Sequence, residues 1–228
     1  MSWLPWTAHL YTGLGAACAL LATLATIRAD YRAAFFWLAV QVAIDSTDGL
    51  LARALRVKER LPHFDGARLD DIIDYLTYVF VPVLIALHAG LLPPVAGTWV
   101  GVSVLLASGY GFAQTTAKVK TRDFFFTGFP SYWNIVVLYL YVLAWAPVIN
   151  AVILIVFAVL VFVPLRYVYP SRTTTLAGLT NGLGVAWSLL MLWVLWRLPE
   201  REVRWTLVSL VFPAYYFALS LWLNRRDA

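Results

Sequence analysis

The sequence predicts an all-α, polytopic membrane protein of about eight helices, and three observations carry that prediction. Of its 228 residues 62% are hydrophobic and only 13% charged, too apolar for a soluble domain and too long for a single anchor. The apolar residues fall into runs near the ~20 needed to cross the hydrocarbon. Basic or proline-containing loops separate those runs, so one membrane domain over residues 1–228 is expected. The net charge of +5 comes with no basic run and no soluble module, so bilayer topology accounts for it and nucleic acid is not an expected partner.

The first span, 8–27, follows MSWLPWTAHL, which has neither a basic n-region nor a cleavage site after the apolar run, so the run is expected to be a permanent span. Cys18 lies inside it without a second cysteine, which excludes a disulfide framework and a thiolate metal site. The spans 33–53 and 69–88 follow, and His88 at the far end of the latter reads as interfacial. Next come 97–117, 132–147, 149–168, 174–196 and 203–223, the fifth of the eight being short and closely followed by Pro147. The last two carry no carboxylate in their apolar cores, and Arg197, Glu200, Arg201, Glu202 and Arg204 at their ends read as interfacial anchors.

With an even number of spans both termini share a side with the loops after the second, fourth and sixth. That side holds Arg53, Arg56, Lys58, Arg60, Arg68, Lys118, Lys120, Arg122, Arg166, Arg172, Arg225 and Arg226, twelve of the 17 basic residues, which makes it cytoplasmic by the positive-inside rule.

Residues 45–74 then stand out. Asp45, Asp48, Asp70 and Asp74 lie at the cytoplasmic ends of two apolar spans, where an ionised side chain costs several kcal/mol unless it is matched, so intramembrane acids are functional candidates. On a helix Asp45, Asp48, Gly49 and Ala52 share one face, as do Gly66, Asp70, Asp74 and Tyr78. Four clustered carboxylates need cations between them, and oxygen ligands suit Mg2+, Mn2+ or Ca2+. The small Gly49, Ala52 and Gly66 leave room for a ligand or a close backbone, and Arg53 offers a fixed charge suited to phosphate. Asp45 precedes Arg53 by eight residues, about 12 Å deeper along the helix. Asp71, about 100° around from Asp70 and three residues from Arg68, reads as an ion-pair partner. His63 reads as solvated.

The pattern D-x-x-D-G-x-x-A-R followed by G-x-x-x-D-x-x-x-D, present as Asp45, Asp48, Gly49, Ala52, Arg53, then Gly66, Asp70, Asp74, resembles the signature of the CDP-alcohol phosphatidyltransferases. The twelve residues between Arg53 and Gly66 exceed the usual family gap and resemble the bacterial phosphatidylcholine synthase branch. The segments VKERLPHFDGARLDDIIDYLTYVFVP and FFFTGFPSYWN are similar to that branch too.

The resemblance implies a six-helix core with two extra C-terminal helices in a bacterial cytoplasmic membrane, and a weak tendency to homodimers. It implies two divalent ions, Mn2+ or Mg2+, on Asp45, Asp48, Asp70 and Asp74, and a CDP moiety beside Asp45, Gly49, Ala52, Arg53 and Gly66. Asp74 is then the base toward the acceptor, although a carboxylate on a cation is a weakened one. The substrates implied are CDP-diacylglycerol and choline. In the first span, His9, Thr12, Gly13 and Gly15 form the polar and small cluster that the family often places beside the nucleotide, while the two glycines equally read as packing positions.

A quaternary ammonium is held by aromatic faces, so Tyr78, Tyr132, Trp133 and Asn134 are the expected choline residues, the aromatic belt being the competing role for Trp133. Lys120 and Arg122 are candidates for the lipid phosphate, or serve topology alone. The rival acceptors are serine, inositol phosphate and glycerol phosphate. A cation-coupled transporter using the same acids is the alternative from another class, against which Gly49, Ala52, Arg53 and Gly66 speak.

Overall fold

The computed structural model describes residues 3–114, 118–119, 125–168 and 174–226. It is a helical membrane protein. Helices α1 (Leu4–Ile27) and α2 (Tyr31–Ala54) form an antiparallel hairpin with a three-residue turn, closed where the Asp30 side chain accepts a hydrogen bond from the Ala33 N–H at the start of α2. The seam between them uses small residues, Ala8, Gly15, Ala19, Ala22 and Ala25 on α1 against Ala34 and Leu38 on α2. In lipid, where apolar surface gains little from leaving the solvent, close backbone approach supplies the packing.

After the short α3 (Val57–Arg60), a single rod runs through α4 (Gly66–Asp74), a π-helical segment (Tyr75–Phe80) and α5 (Val81–His88). Pro82 has no N–H for the Tyr78 carbonyl and its ring would press on it; a wider turn relieves both. Helix α6 (Ala96–Ala113) follows, then α7 (Trp133–Leu143) and α8 (Pro147–Phe162). The C-terminal pair is α9 (Ala177–Arg197) and a rod of α10 (Val203–Ser209) and α11 (Val211–Arg226), which pack on α2 and α7.

Six of these helices, of 18 to 24 residues, are long and apolar enough to cross a membrane. The spans expected at 132–147 and 149–168 prove shorter: α7 has 11 residues and α8 has 16, about 16 and 24 Å against a ~30 Å hydrocarbon core. The chain leaves α7 through Ala144 in the left-handed region, and Pro147 starts α8. Asn150, fully buried, donates from its amide to the Leu91 and Trp145 carbonyls and ties this turn to the loop before α6.

A feature outside the all-helical expectation is a small antiparallel sheet, β1 (Lys118–Val119), β2 (Phe125–Thr127) and β3 (Arg166–Val168), in that order. Its open edge is satisfied by side chains of α11. Asn224 accepts from the Arg166 N–H and donates to the Arg166 carbonyl, and the Ser220 hydroxyl accepts from the Val168 N–H. Phe125 and Val168 bury against Leu219 and Leu223, so the C-terminal helix holds the sheet in place. Between β2 and α7 the GFPS turn docks on α8: the Gly128 N–H donates to Leu165 and the Phe129 N–H to Leu160.

Candidate active site

One acid of α2 and two acids of α4 converge where α2 runs beside the π segment. Oxygens of Asp45, Asp70 and Asp74 all lie within 4.8 Å of one another, each side chain half-buried. At that spacing two unit charges repel by about 3 kcal/mol per pair at an effective dielectric near 20, so a cation between them relieves a large penalty. The separations match oxygens arranged around one hard cation at about 2.1–2.5 Å, and the donor set, oxygen only, fits Mg2+, Mn2+ or Ca2+.

Tyr78 donates a 2.8 Å hydrogen bond to Asp45 from the π segment. An α-helix drifts by about 40° every four residues, and the wider π turn offsets that drift, so Tyr78 still faces α2. Tyr132, half-buried, faces Tyr78 with ring centroids 6.1 Å apart.

The fourth acid of the pattern is held differently. Asp48 is buried and accepts a 2.7 Å hydrogen bond from Thr12 of α1; it is not among the three gathered carboxylates. Thr12, 36 residues away in sequence, was legible only as part of a polar cluster, because nothing in the spacing says which α2 residue it meets. Thr12→Val is expected to free this carboxylate and to lower turnover about tenfold, whereas Thr12→Ser retains most of it. Steady-state rates of the two variants check this, and equal rates for Val and wild type would remove Thr12 from the site.

Gly49 lets Arg53, one turn on, fold back along the helix: a side-chain carbon at Gly49 would lie 3.2 Å from an Arg53 guanidinium nitrogen. Arg53 itself is exposed, and Ala52 half-buried beside it. At Gly66 the open space is filled by the protein. A Cβ there would stand 2.6 Å from the ring of His9, which is buried and packed against Phe64 with centroids 4.3 Å apart. Gly15 is likewise a close-packing position, where a Cβ would run into Gln41 and Ile73. Arg68 pairs with Asp65 at 4.0 Å, and the Asp65 carboxylate also accepts from the Arg68 N–H at the start of α4. His88 accepts or donates to the Tyr31 hydroxyl at 3.0 Å, and His63 is exposed.

Two of the expected acceptor residues lie away from an open face. Trp133 is fully buried, its indole N–H donating to Ser108 at 2.7 Å and its ring packed edgewise with Phe129 and Phe157. It sits neither in an aromatic belt nor on an accessible surface. Asn134 is buried in the first turn of α7, and its side-chain oxygen accepts from the adjacent Ile135 N–H. Lys120 and Arg122 lie outside the described residues.

The fold and this cluster define a multi-pass membrane protein with an intramembrane aspartate site suited to a hard divalent cation. No family model matches the chain. It is, however, 40% identical over 223 residues to the phosphatidylcholine synthase of Bradyrhizobium diazoefficiens, covering 96% of this chain and 79% of that one. It is 36% identical over 224 residues to the phosphatidylcholine synthase of Legionella pneumophila (95% and 87%), and 34% identical over 226 residues to that of Pseudomonas aeruginosa (97% and 92%). The chain belongs to the phosphatidylcholine synthase family, and it is an enzyme, a phosphatidyltransferase.

Proposed function

We propose that the enzyme transfers the phosphatidyl group of CDP-diacylglycerol to choline, giving phosphatidylcholine and CMP, at the cytoplasmic face of a bacterial membrane. The observation that carries this reading is the convergence of Asp45, Asp70 and Asp74, in a chain that shares most of its length with phosphatidylcholine synthases. Their position on the basic side of two spans puts the chemistry about 12 Å below the Arg53 level, where a lipid substrate keeps its acyl chains in the bilayer while its nucleotide faces water.

In this reading Asp45, Asp70 and Asp74, with Asp48 completing the set, hold two divalent ions, Mn2+ or Mg2+. Such ions would supply charge neutralisation for the pyrophosphate and the departing CMP. Tyr78 fixes the Asp45 carboxylate through its hydrogen bond. Gly49, Ala52 and Arg53 border the nucleotide, with Arg53 toward phosphate, while Gly66 gives the His9 ring room to pack beside them. Asp74 orients the choline hydroxyl and takes up its proton as the oxygen attacks the phosphorus that carries diacylglycerol; the P–O bond to CMP breaks. Tyr78 and Tyr132 supply ring faces for the ammonium.

An acceptor screen with purified protein and CDP-diacylglycerol tests this. CMP release is expected with choline and not with serine, inositol phosphate or glycerol phosphate, to stop on chelation, and to return with Mn2+ or Mg2+. Turnover with another acceptor alone would replace choline, and undiminished turnover in chelator would remove the metals.

A further inference from the structure

Ser108 of α6 is fully buried and outside the signature, yet its hydroxyl oxygen is the meeting point of two side chains from the turn before α7. The Trp133 indole N–H donates to it at 2.7 Å and the Ser131 hydroxyl at 3.1 Å. A hydroxyl oxygen has two lone pairs, so both are engaged. The two donors flank Tyr132. Ser131 stands at φ +57°, a left-handed conformation that a side chain disfavours. Tyr132, at φ −75° and ψ 53°, is the centre of an inverse γ-turn in which the Trp133 N–H donates to the Ser131 carbonyl at 2.8 Å. Strained backbone of the Ser131 kind persists only where its surroundings over-determine it, and it concentrates at functional sites. Tyr132, between the two buried donors, keeps part of its surface open. Its ring faces Tyr78 with centroids 6.1 Å apart, and the Tyr78 hydroxyl donates to Asp45 at 2.8 Å. From Ser108 to Asp45 the path is therefore made of chain neighbours and direct contacts.

We propose that Ser108 is a positioning residue of the acceptor site: by holding Ser131 and Trp133 it sets the Tyr132 ring in the orientation that meets the choline ammonium. The proposal rests on choline as the acceptor and on Tyr132 as one of the faces that bind it. A quaternary ammonium has no N–H to donate, so a ring contributes only where its face is presented to the charge. A tyrosine on an unrestrained turn samples several orientations, and ordering it on binding costs affinity; a turn fixed beforehand removes that cost. Ser108 fixes the turn from a position that neither substrate reaches, since it has no exposed surface. Trp133 belongs to the same device. Its ring packs edgewise on Phe129 and Phe157, and its N–H is the arm that reaches α6. The buried Trp133 thus has a part in acceptor recognition that requires no contact with the acceptor.

The test is a double-mutant cycle in the full-length enzyme, Ser108→Ala against Tyr132→Leu. Tyr132→Leu alone is expected to raise KM for choline about three- to tenfold, the size of one lost cation–π contact, without moving the KM for CDP-diacylglycerol. Ser108→Ala is expected to do the same and also to lower the thermal midpoint, because two buried donors lose their acceptor. Discrimination between choline and its neutral isostere 3,3-dimethylbutanol narrows in both. The double variant decides between positioning and packing. With no ring left to position, its KM for choline equals that of Tyr132→Leu, whereas independent packing damage would multiply the two effects. Ser131→Ala removes one bond and strands no donor; it takes the place of Ser108→Ala if that variant does not fold, with a rise of about two- to threefold expected. Multiplied effects, a kinetically silent clamp variant, or one that raises both KM values alike overturns this proposal alone. A choline-specific wild type whose KM for choline is untouched by Tyr132→Leu takes Tyr132 out of the acceptor site, and the proposal falls with it. A wild type that uses serine and not choline overturns the choline reading and this proposal together.

Discussion

Replacing Asp45, Asp70 or Asp74 by asparagine is expected to lower CMP release at least about a thousandfold while the protein still inserts in the membrane. The three oxygens lie within 4.8 Å of one another, so each carboxylate contributes both a ligand and a share of the mutual repulsion. Losing one removes charge from the metal site, and it also relieves the repulsion that the metal-free protein carries. The two effects have opposite signs in different assays. Activity falls in the presence of Mg2+ or Mn2+, whereas the thermal midpoint in chelator rises above wild type. Asp48→Asn is expected to join the inactive set, and Asp71→Asn to keep most of its activity. Turnover by purified variants, with detergent-solubilised melting in parallel, checks these outcomes. Two of the three triad variants with near-normal rates would sink the shared-metal reading.

Gly128→Ala is expected to lose at least about 3 kcal/mol of stability, through two causes that add. Gly128 sits at φ +82°, a region that L side chains adopt at a cost, and a Cβ there would run into the backbone carbonyl of Val161. The obstacle is main chain at the end of α8, so no side-chain rotation relieves it. The bonds from Gly128 to Leu165 and from Phe129 to Leu160 would stretch, and with them the seating of Trp133 against Ser108. The control is Gly13→Ala, where a Cβ meets open space and propensity favours alanine. Comparing the yields of monodisperse protein and the thermal midpoints of the two variants decides the matter. A Gly128→Ala protein as stable as Gly13→Ala would mean that the turn is not seated as described.

Sequence alone determined the class of this protein, because apolar runs of membrane length can satisfy their backbone in lipid only as helices or closed barrels. It also singled out the acids, since a carboxylate inside an apolar run is a functional candidate, and the structure gathers three of them. Periodicity placed Asp70, Asp74 and Tyr78 on one face, and the structure keeps them there with the help of a π turn that no spacing rule shows. The lengths of α7 and α8 were not legible, because apolar residues continue past the helix ends, into an exposed turn after α7 and a partly buried strand after α8.

Tertiary structure alone decided the partners. Thr12 meets Asp48 and His9 fills the space over Gly66 because α1 packs against both α2 and α4, a three-body arrangement that periodicity within one helix cannot specify. Trp133 carries the same amphipathic chemistry as a pocket or belt residue, and only the position of Ser108, 25 residues earlier, draws its N–H into the core. An aromatic residue in an apolar helix is uninformative until a neighbouring element shows whether its polar end has a partner.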